Sequence, residues 1–212
     1  ARRRGRRTQE ERTATMRQRL LQATVDCLVE TGYANTTTTA VVARAGVSRG
    51  AILHHFPTKA DLVSSAVEYI LEQRRNVFLE RFAHLPKDEG LMDAILAALW
   101  HEVRGPMFYA WLELVVASRT DAELKKKLHP LAHRWVEMVD STFRAIFALP
   151  RTDDKHPHAL APIVTLRTME GLALEMIARP DDPTLEKRVL RALKTIAPLA
   201  TLTYLPQNLT QS

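Results

Sequence analysis

Arg49 and Lys59 carry the chemistry that this sequence offers most clearly, and that chemistry is the binding of nucleic acid. The planar guanidinium of Arg49 could make paired hydrogen bonds to the edge of a guanine. Gly50 and Ala51 are small, so the backbone beside Arg49 could come close to base edges. Lys59 stands at the start of a further helix, where its charge and the free backbone N–H groups suit a phosphate.

Two short helices joined by a tight turn are predicted to position these side chains. A threonine up to Thr37 or Thr38 can cap the first helix, because its hydroxyl accepts a hydrogen bond from a free backbone N–H. Apolar residues then recur at helical spacing, and they are Val41, Val42 and Ala45. Gly46 follows at once and suits the left-handed conformation that ends a helix.

The second short helix is predicted to begin after Ser48, a good capping residue. Ile52 and Phe56 are four residues apart and therefore share one face, while Val47 and Ile52 are placed as a hydrophobic staple. Pro57 ends the helix, because the residue before a proline is pushed out of helical geometry. This layout is typical of a helix-turn-helix, which sets its second helix into a DNA groove.

The excess positive charge of the chain lies in its first third. Residues 1–75 hold 13 Lys and Arg against 7 Asp and Glu, whereas residues 76–212 hold 17 of each kind. A polyanionic partner for the first segment explains this asymmetry. Five of the first seven residues are arginine, and an arm of this kind can reach into a minor groove. A cloning remnant or simple disorder is the competing explanation for the arm.

Several motifs of the first 62 residues occur together in register. They are Ala23-(x)3-Cys27-Leu28-(x)3-Gly32-Tyr33, Thr36-Thr37, Ala45-Gly46-Val47-Ser48, Gly50, His54-His55-Phe56 and Lys59-Ala60-Asp61-Leu62. In this combination the segment resembles the N-terminal domain of the TetR family of one-component regulators. The rest of the chain is similar to the family in length and in helical character.

The resemblance implies roles for individual positions. Arg49, Gly50 and Ala51 match residues that meet bases or nearby phosphates, and Lys59 matches a phosphate-binding lysine. Leu53 departs from the pattern, since most members carry a tyrosine there that bonds to phosphate; a leucine could instead touch a thymine methyl, or the contact is absent. The candidate DNA-binding residues are Thr37, Thr38, Thr39, Arg44, Ser48, Arg49, Gly50, Ala51, Leu53, His54, His55 and Lys59.

The predicted fold class is all-α, with a basic arm at 1–12, a helix-turn-helix domain at 13–73 and a helical effector-binding and dimerisation domain at 74–212. A first helix is expected to end at Gly32, and a capping box of Thr58 and Asp61 to start a long helix after the helix-turn-helix. Further helices are expected at 91–104, 107–118, 121–149, about 159–178 and 183–203, with a polar loop at 150–158.

The last two of these helices carry apolar stripes that suit a homodimer, as the resemblance implies, although packing within one chain explains the stripes nearly as well. Gly171 in mid-helix costs about 1 kcal/mol against alanine, and a close helix crossing would account for it. Two recognition helices related by a two-fold axis would read a palindromic operator.

The resemblance also implies a small-molecule effector, and aromatic and soft side chains gather in the helices concerned. They are Trp100, Met107, Phe108, Tyr109, Trp111, Trp135, Met138 and Met169. Such a set suggests an apolar or aromatic effector, steered by Glu102, Glu113 or Arg167. Core packing is the competing explanation for each of these residues.

Catalysis and resident cofactors are not expected, because the sequence has no Glu-x-x-His pair, no glycine-rich phosphate loop and only one cysteine, Cys27. Neither a membrane-spanning stretch nor a signal peptide is apparent, and a single cysteine fits the reducing cytoplasm. The function that emerges is a sequence-specific repressor, released from its operator by an effector. A nucleoid-type protein that coats DNA without sequence choice is the alternative.

Overall fold

The computed structural model describes residues 9–86, 90–146, 161–180 and 182–202. Regular structure in these ranges is entirely α-helical, so the predicted all-α class is confirmed. The helices are α1 (Gln9–Asn35), α2 (Thr38–Ala45), α3 (Arg49–His55), α4 (Lys59–Ala83), α5 (Leu91–Val103), α6 (Pro106–Ala117), α7 (Ala122–Ile146), α8 (Ala161–Ala178) and α9 (Pro183–Leu202). The arginines at 2–7 and the predicted loop at 150–158 lie outside the described residues.

The chain forms two compact units. Within the described residues, the first unit holds the chain as far as Gln73 together with Pro106–Leu131, and the second holds Arg74–Gly105 and the chain from Ala132 onward. These units differ from the predicted contiguous domains, 13–73 and 74–212, in the placement of residues 106–131. Residues 106–131 join the first unit because α6 packs along α1.

Helix α1 is interrupted at Gly32, where φ is 77° and ψ is 171°. This backbone conformation is open to glycine and strained for other residues. A Cβ atom at position 32 would also lie only 3.0 Å from Glu113 Oε2. The predicted end of the first helix therefore coincides with this break, after which helical turns continue to Asn35.

The core of the first unit is built from the apolar faces of α1 to α4. Its buried residues are Leu20, Leu21, Ala23, Cys27, Val41, Ala45, Ile52, Phe56, Leu62 and Ala66. Val42 and Val47 are partly buried and pack against this cluster. Burial raises the pKa of the Cys27 thiol, which disfavours the reactive thiolate and leaves this cysteine as part of the core packing.

The second unit contains a buried ion pair between Arg74 of α4 and Glu102 of α5. Arg74 Nε donates to Glu102 Oε1 at 2.6 Å and Nη2 donates to Oε2 at 3.1 Å. The Arg74 guanidinium lies 4.1 Å from the ring centroid of Trp135, whose ring also contacts Phe78 edge-to-face. Charge and aromatic surface are thus packed together among apolar side chains.

Candidate DNA-binding site

The ends of α2 and α3 are held by the caps that the sequence predicts. Thr37 is the N-cap of α2, and its Oγ1 accepts from Ala40 N at 3.1 Å. Gly46 ends α2 in the left-handed conformation, with φ of 60°. Ser48 caps α3, since its Oγ accepts from Ala51 N at 3.2 Å. The boundaries of the two helices are therefore set by local hydrogen bonds.

Helix α3 presents one buried face and one exposed face. Ile52 and Phe56 are almost fully buried, as their spacing predicts. The opposite face exposes four of the predicted DNA-binding residues: Arg49, Gly50, Leu53 and His54. Leu53 is 53% exposed, so this leucine meets solvent on the face that would enter a groove. Ala51 is half-buried at the edge of the same face.

The threonines at the start of α2 differ in their exposure and in their hydrogen bonding. Thr37 is exposed, and its oxygen is engaged in the cap. Thr38 is half-buried and Thr39 is exposed in the first turn of the helix. A DNA contact from Thr38 or Thr39 stays a prediction.

Arg44 is turned toward α1 rather than left free. Its Nη1 donates to Glu30 Oε1 at 2.8 Å, its Nη2 pairs with the second oxygen of Glu30, and Asp26 lies 3.9 Å away. A phosphate would have to compete with two carboxylates for this guanidinium. The DNA contact predicted for Arg44 therefore requires the pair with Glu30 to open.

Lys59 lies at the N-terminus of α4, directly after the predicted capping box. Thr58 Oγ1 accepts from Asp61 N at 3.1 Å, and Asp61 Oδ2 accepts from Thr58 N at 3.1 Å. The Lys59 ammonium is exposed and sits 5.1 Å from the centroid of the Tyr33 ring. Lys59 thus lies at the start of a helix, as predicted. Its contact with the Tyr33 ring was not predicted from the sequence.

His55 is half-buried beside His54, with their ring centroids 5.3 Å apart. Burial lowers the pKa of His55, and the positive charges of His54 and Arg17 lower it further. The neutral ring is therefore favoured in the free protein.

Two arginines of α1 that the sequence analysis did not single out lie beside the helix-turn-helix. Arg17 Nη2 donates to Ser65 Oγ at 3.1 Å, and its guanidinium is 5.6 Å from the Phe56 ring centroid. Arg19 Nη2 comes within 3.3 Å of the Cβ position at Gly46. The excess positive charge of residues 1–75 indicated that such arginines could contribute to DNA binding. Their position beside the helix-turn-helix depends on the packing of α1 against α2 and α3.

The predicted effector residues are distributed over both units. Met107, Phe108, Tyr109 and Trp111 belong to the first unit, on the helix that packs along α1; Trp100, Trp135, Met138 and Met169 belong to the second. Phe108 and Met169 are almost fully buried. Trp100 Nε1 donates to Glu186 Oε1 at 2.9 Å. Trp135 Nε1 is buried and has no hydrogen-bond partner among the described residues.

The charged residues predicted to steer an effector all have partners within the protein. Glu102 pairs with Arg74, Glu113 Oε2 accepts from Tyr33 N at 2.9 Å, and Arg167 pairs with Glu170. An open groove of about 760 Å³ in the second unit has other walls, formed by α4 and α5 with His84 and His101. The assignment of effector residues stays a prediction.

No group of three or more His, Cys, Asp or Glu that could hold a metal ion occurs in the described ranges. Nor is any helix described there long and apolar enough to cross a membrane.

Comparison with known proteins agrees with this architecture. The family described as bacterial regulatory proteins, tetR family, matches residues 20–66. The chain is 32% identical over 193 residues to the uncharacterized HTH-type transcriptional regulator Rv2912c of Mycobacterium tuberculosis, covering 89% of this chain and 97% of that protein. It is 33% identical over 129 residues to the HTH-type transcriptional regulator CymR of Pseudomonas putida, covering 61% of this chain and 64% of that protein.

Solved structures share the fold. A transcriptional regulator from Rhodococcus sp. Rha1 superposes with a TM-score of 0.65 at 24% identity, covering 87% of this chain and 95% of that chain. A putative transcriptional regulator from Saccharomonospora viridis, solved in complex with choline, gives 0.63 at 16% identity, covering 86% and 95%.

A capped helix-turn-helix whose exposed face carries Arg49 and His54, in a chain whose described regular structure is all helical, defines a DNA-binding transcriptional regulator. The chain belongs to the TetR family of bacterial regulatory proteins. It is therefore a regulator of transcription and not an enzyme, as the sequence analysis expected.

The lowered pKa of His55 leads to an expectation for pH dependence. Because the unfolded chain binds a proton more readily, the stability associated with His55 is present above its ordinary pKa of 6.5 and declines as pH falls below it. A phosphate beside His55 would favour the charged ring, so DNA affinity should rise as pH falls through the same range.

Titration of DNA affinity between roughly pH 5.5 and 7.5 checks this expectation, with His55→Gln and His54→Gln as the variants. The change in affinity should be smaller in His55→Gln than in the unmodified protein. An unchanged pH profile in His55→Gln would show that the ring does not approach phosphate.

Proposed function

We propose that this regulator is a homodimeric repressor that binds a palindromic operator and leaves it when a small molecule binds its helical body. The exposed face of α3 carries the proposal. Arg49 begins that face with no ion pair among the described residues, next to Gly50, which adds no side-chain bulk. A cation on a small, open helix surface suits direct reading of base edges. Such a protein would act in the cytoplasm, with the chromosome.

The dimer proposal is supported by the outer face of α8. Val164, Leu174 and Ile177 are 57%, 41% and 57% exposed on this helix. A Cβ atom added at Gly171 would meet nothing within 4 Å. The close crossing that would explain a glycine in mid-helix is thus absent within the described chain, and a second copy could supply it.

Leu174→Glu is expected to convert the dimer to a monomer and to weaken binding to a palindrome, because a charge would be buried at the interface. Leu79→Glu on α4 is the matched control, since Leu79 is 38% exposed in the same unit. Sedimentation velocity gives the mass of each variant. A Leu174→Glu protein that remains dimeric would contradict an interface at this face of α8.

An effector site is proposed within the second unit, around Trp135, Met138 and Met169. The buried Trp135 N–H supports it, because a ligand with a hydrogen-bond acceptor could satisfy that group. The apolar surroundings favour an apolar or aromatic body for the same ligand. Effector and operator would then weaken each other by the same factor.

Selection of bound duplexes from a random library, with the full chain and with residues 1–7 removed, tests the proposed function. A palindrome with constant half-site spacing from both proteins is the expected result. Recovery of no motif, with affinity lost when the arginines are removed, would overturn it. That second outcome would favour the nucleoid-type alternative, in which the arm supplies the affinity by charge alone.

A further inference from the structure

The helical turn after the break in α1 is held by residues from distant parts of the first unit. Tyr33 N donates to Glu113 Oε2 of α6 at 2.9 Å. The Tyr33 hydroxyl donates to Asp121 Oδ2 at 3.2 Å. Burial raises the pKa of Tyr33, and the bond to Asp121 and its negative charge raise it further. The ring is therefore held at both ends, by its own backbone and by its hydroxyl.

Lys59 lies over this fixed ring. Its Nζ is 5.1 Å from the Tyr33 centroid. A cleft of about 250 Å³ is lined by both residues and by Asp121, together with Glu123 and Lys127. The pKa of Asp121 is lowered by the Leu124 N–H, by the Tyr33 hydroxyl and, more weakly, by the charge of Lys59. The ammonium thus lies over an aromatic face, and the Asp121 carboxylate lines the same cleft.

We propose that Tyr33 and Asp121 form an internal retention site for the Lys59 ammonium, in competition with the DNA phosphate backbone. The inference rests on the proposed function, together with the phosphate contact expected of Lys59 at the start of α4. Lys59 must leave the Tyr33 ring when it binds DNA, and DNA affinity is lower than it would be without the retention site. Since Glu113 lies on α6 and Asp121 directly precedes α7, a movement of these helices would alter the strength of retention.

A double-mutant cycle of Asp121→Asn and Lys59→Met tests the competition. Asn at 121 preserves the cap of α7, where Asp121 Oδ1 accepts from Leu124 N at 2.9 Å, but it removes the charge. Binding is measured on a random-sequence duplex at low salt, because a phosphate contact does not depend on sequence. Asp121→Asn should tighten binding about two- to fivefold, and this gain should vanish when Lys59 is already methionine.

Glu123→Gln is the matched control, because Glu123 lines the same cleft and its carboxylate has no hydrogen bond within the described residues. An equal gain from Glu123→Gln, or a gain from Asp121→Asn that persists with Lys59→Met, would overturn the proposal in favour of a general charge effect. Weaker or unchanged binding in Asp121→Asn would overturn it as well. If Lys59→Met alone leaves DNA binding unchanged, the phosphate contact of the proposed function fails instead, and the retention proposal falls with it.

A direct reading of the free protein completes the test. The Lys59 Hε protons should be shifted upfield by the Tyr33 ring current in NMR spectra, and the shift should disappear in Tyr33→Leu and on addition of the duplex. Tyr33→Phe retains the ring but loses the bond to Asp121, so it should tighten DNA binding less than Asp121→Asn does. An Hε shift that is unchanged by DNA would show that Lys59 does not leave the ring, which overturns the competition.

Discussion

Glu102→Ala is expected to lower the free energy of unfolding by about 3–5 kcal/mol, because it leaves the charge of Arg74 buried without its carboxylate. The Arg74 side chain is 0% exposed and that of Glu102 is 4% exposed. Water therefore cannot replace the two lost hydrogen bonds without opening the unit. The contact of the guanidinium with Trp135 offsets only part of the cost, since a cation–π contact contributes about 2 kcal/mol when desolvated.

Urea unfolding at a constant protein concentration measures the effect, and a constant concentration is needed because the proposed dimer would contribute to stability. The control is the double variant Arg74→Met with Glu102→Leu, which replaces both charges by apolar groups of similar volume. It should recover most of the lost stability, as apolar replacements of buried ion pairs often do. A loss below about 1 kcal/mol in Glu102→Ala would mean that water reaches the guanidinium.

The helix-turn-helix was predictable because short-range chemistry decides its boundaries. Thr37, Gly46 and Ser48 each act on a backbone group no more than four residues away. The same holds for Asp182, whose Oδ1 accepts from Leu185 N at 3.2 Å and caps α9. Caps that form hydrogen bonds within their own helical turn can be predicted from the local sequence.

Contacts between distant segments could not be predicted in the same way. Arg44 pairs with Glu30 on another helix, so an exposed arginine with the right charge for DNA binding is already engaged within the protein. The two partners Glu113 and Asp121 lie 80 and 88 residues from Tyr33 in the chain. Composition showed that charge and aromatic groups were present, but their pairing depends on tertiary packing.

The placement of residues 106–131 illustrates the same limit. Sequence spacing identified α6 and α7 as helices, yet helical periodicity contains no information about the partner of an apolar face. Phe108 and Trp111 are buried in the first unit, whereas Trp135 is buried in the second. A candidate pocket assembled from residue types alone therefore combined side chains that the fold divides between units.

Arg49→Ala is expected to cost about 1–3 kcal/mol on the selected operator and to relax the base preference at one position in each half-site. Arg49 is exposed in the first turn of α3 and, unlike Arg44, makes no ion pair within the described residues. Its guanidinium is thus available to a guanine edge without loss of an internal partner. In affinity this is a loss of roughly five- to 150-fold.

Competition binding against every single-base variant of the operator measures both effects. Arg75→Ala removes an equal charge from an exposed position of the second unit and should leave the base preference unchanged. Lys59→Met should weaken binding to all duplexes to a similar degree, as expected for a phosphate contact. If Arg49→Ala weakens binding to all DNA sequences equally, then Arg49, like Lys59, contacts the phosphate backbone and not a base. Sequence choice would then depend on the other exposed residues of α3, Leu53 and His54, whose substitution would have to alter the preferred bases.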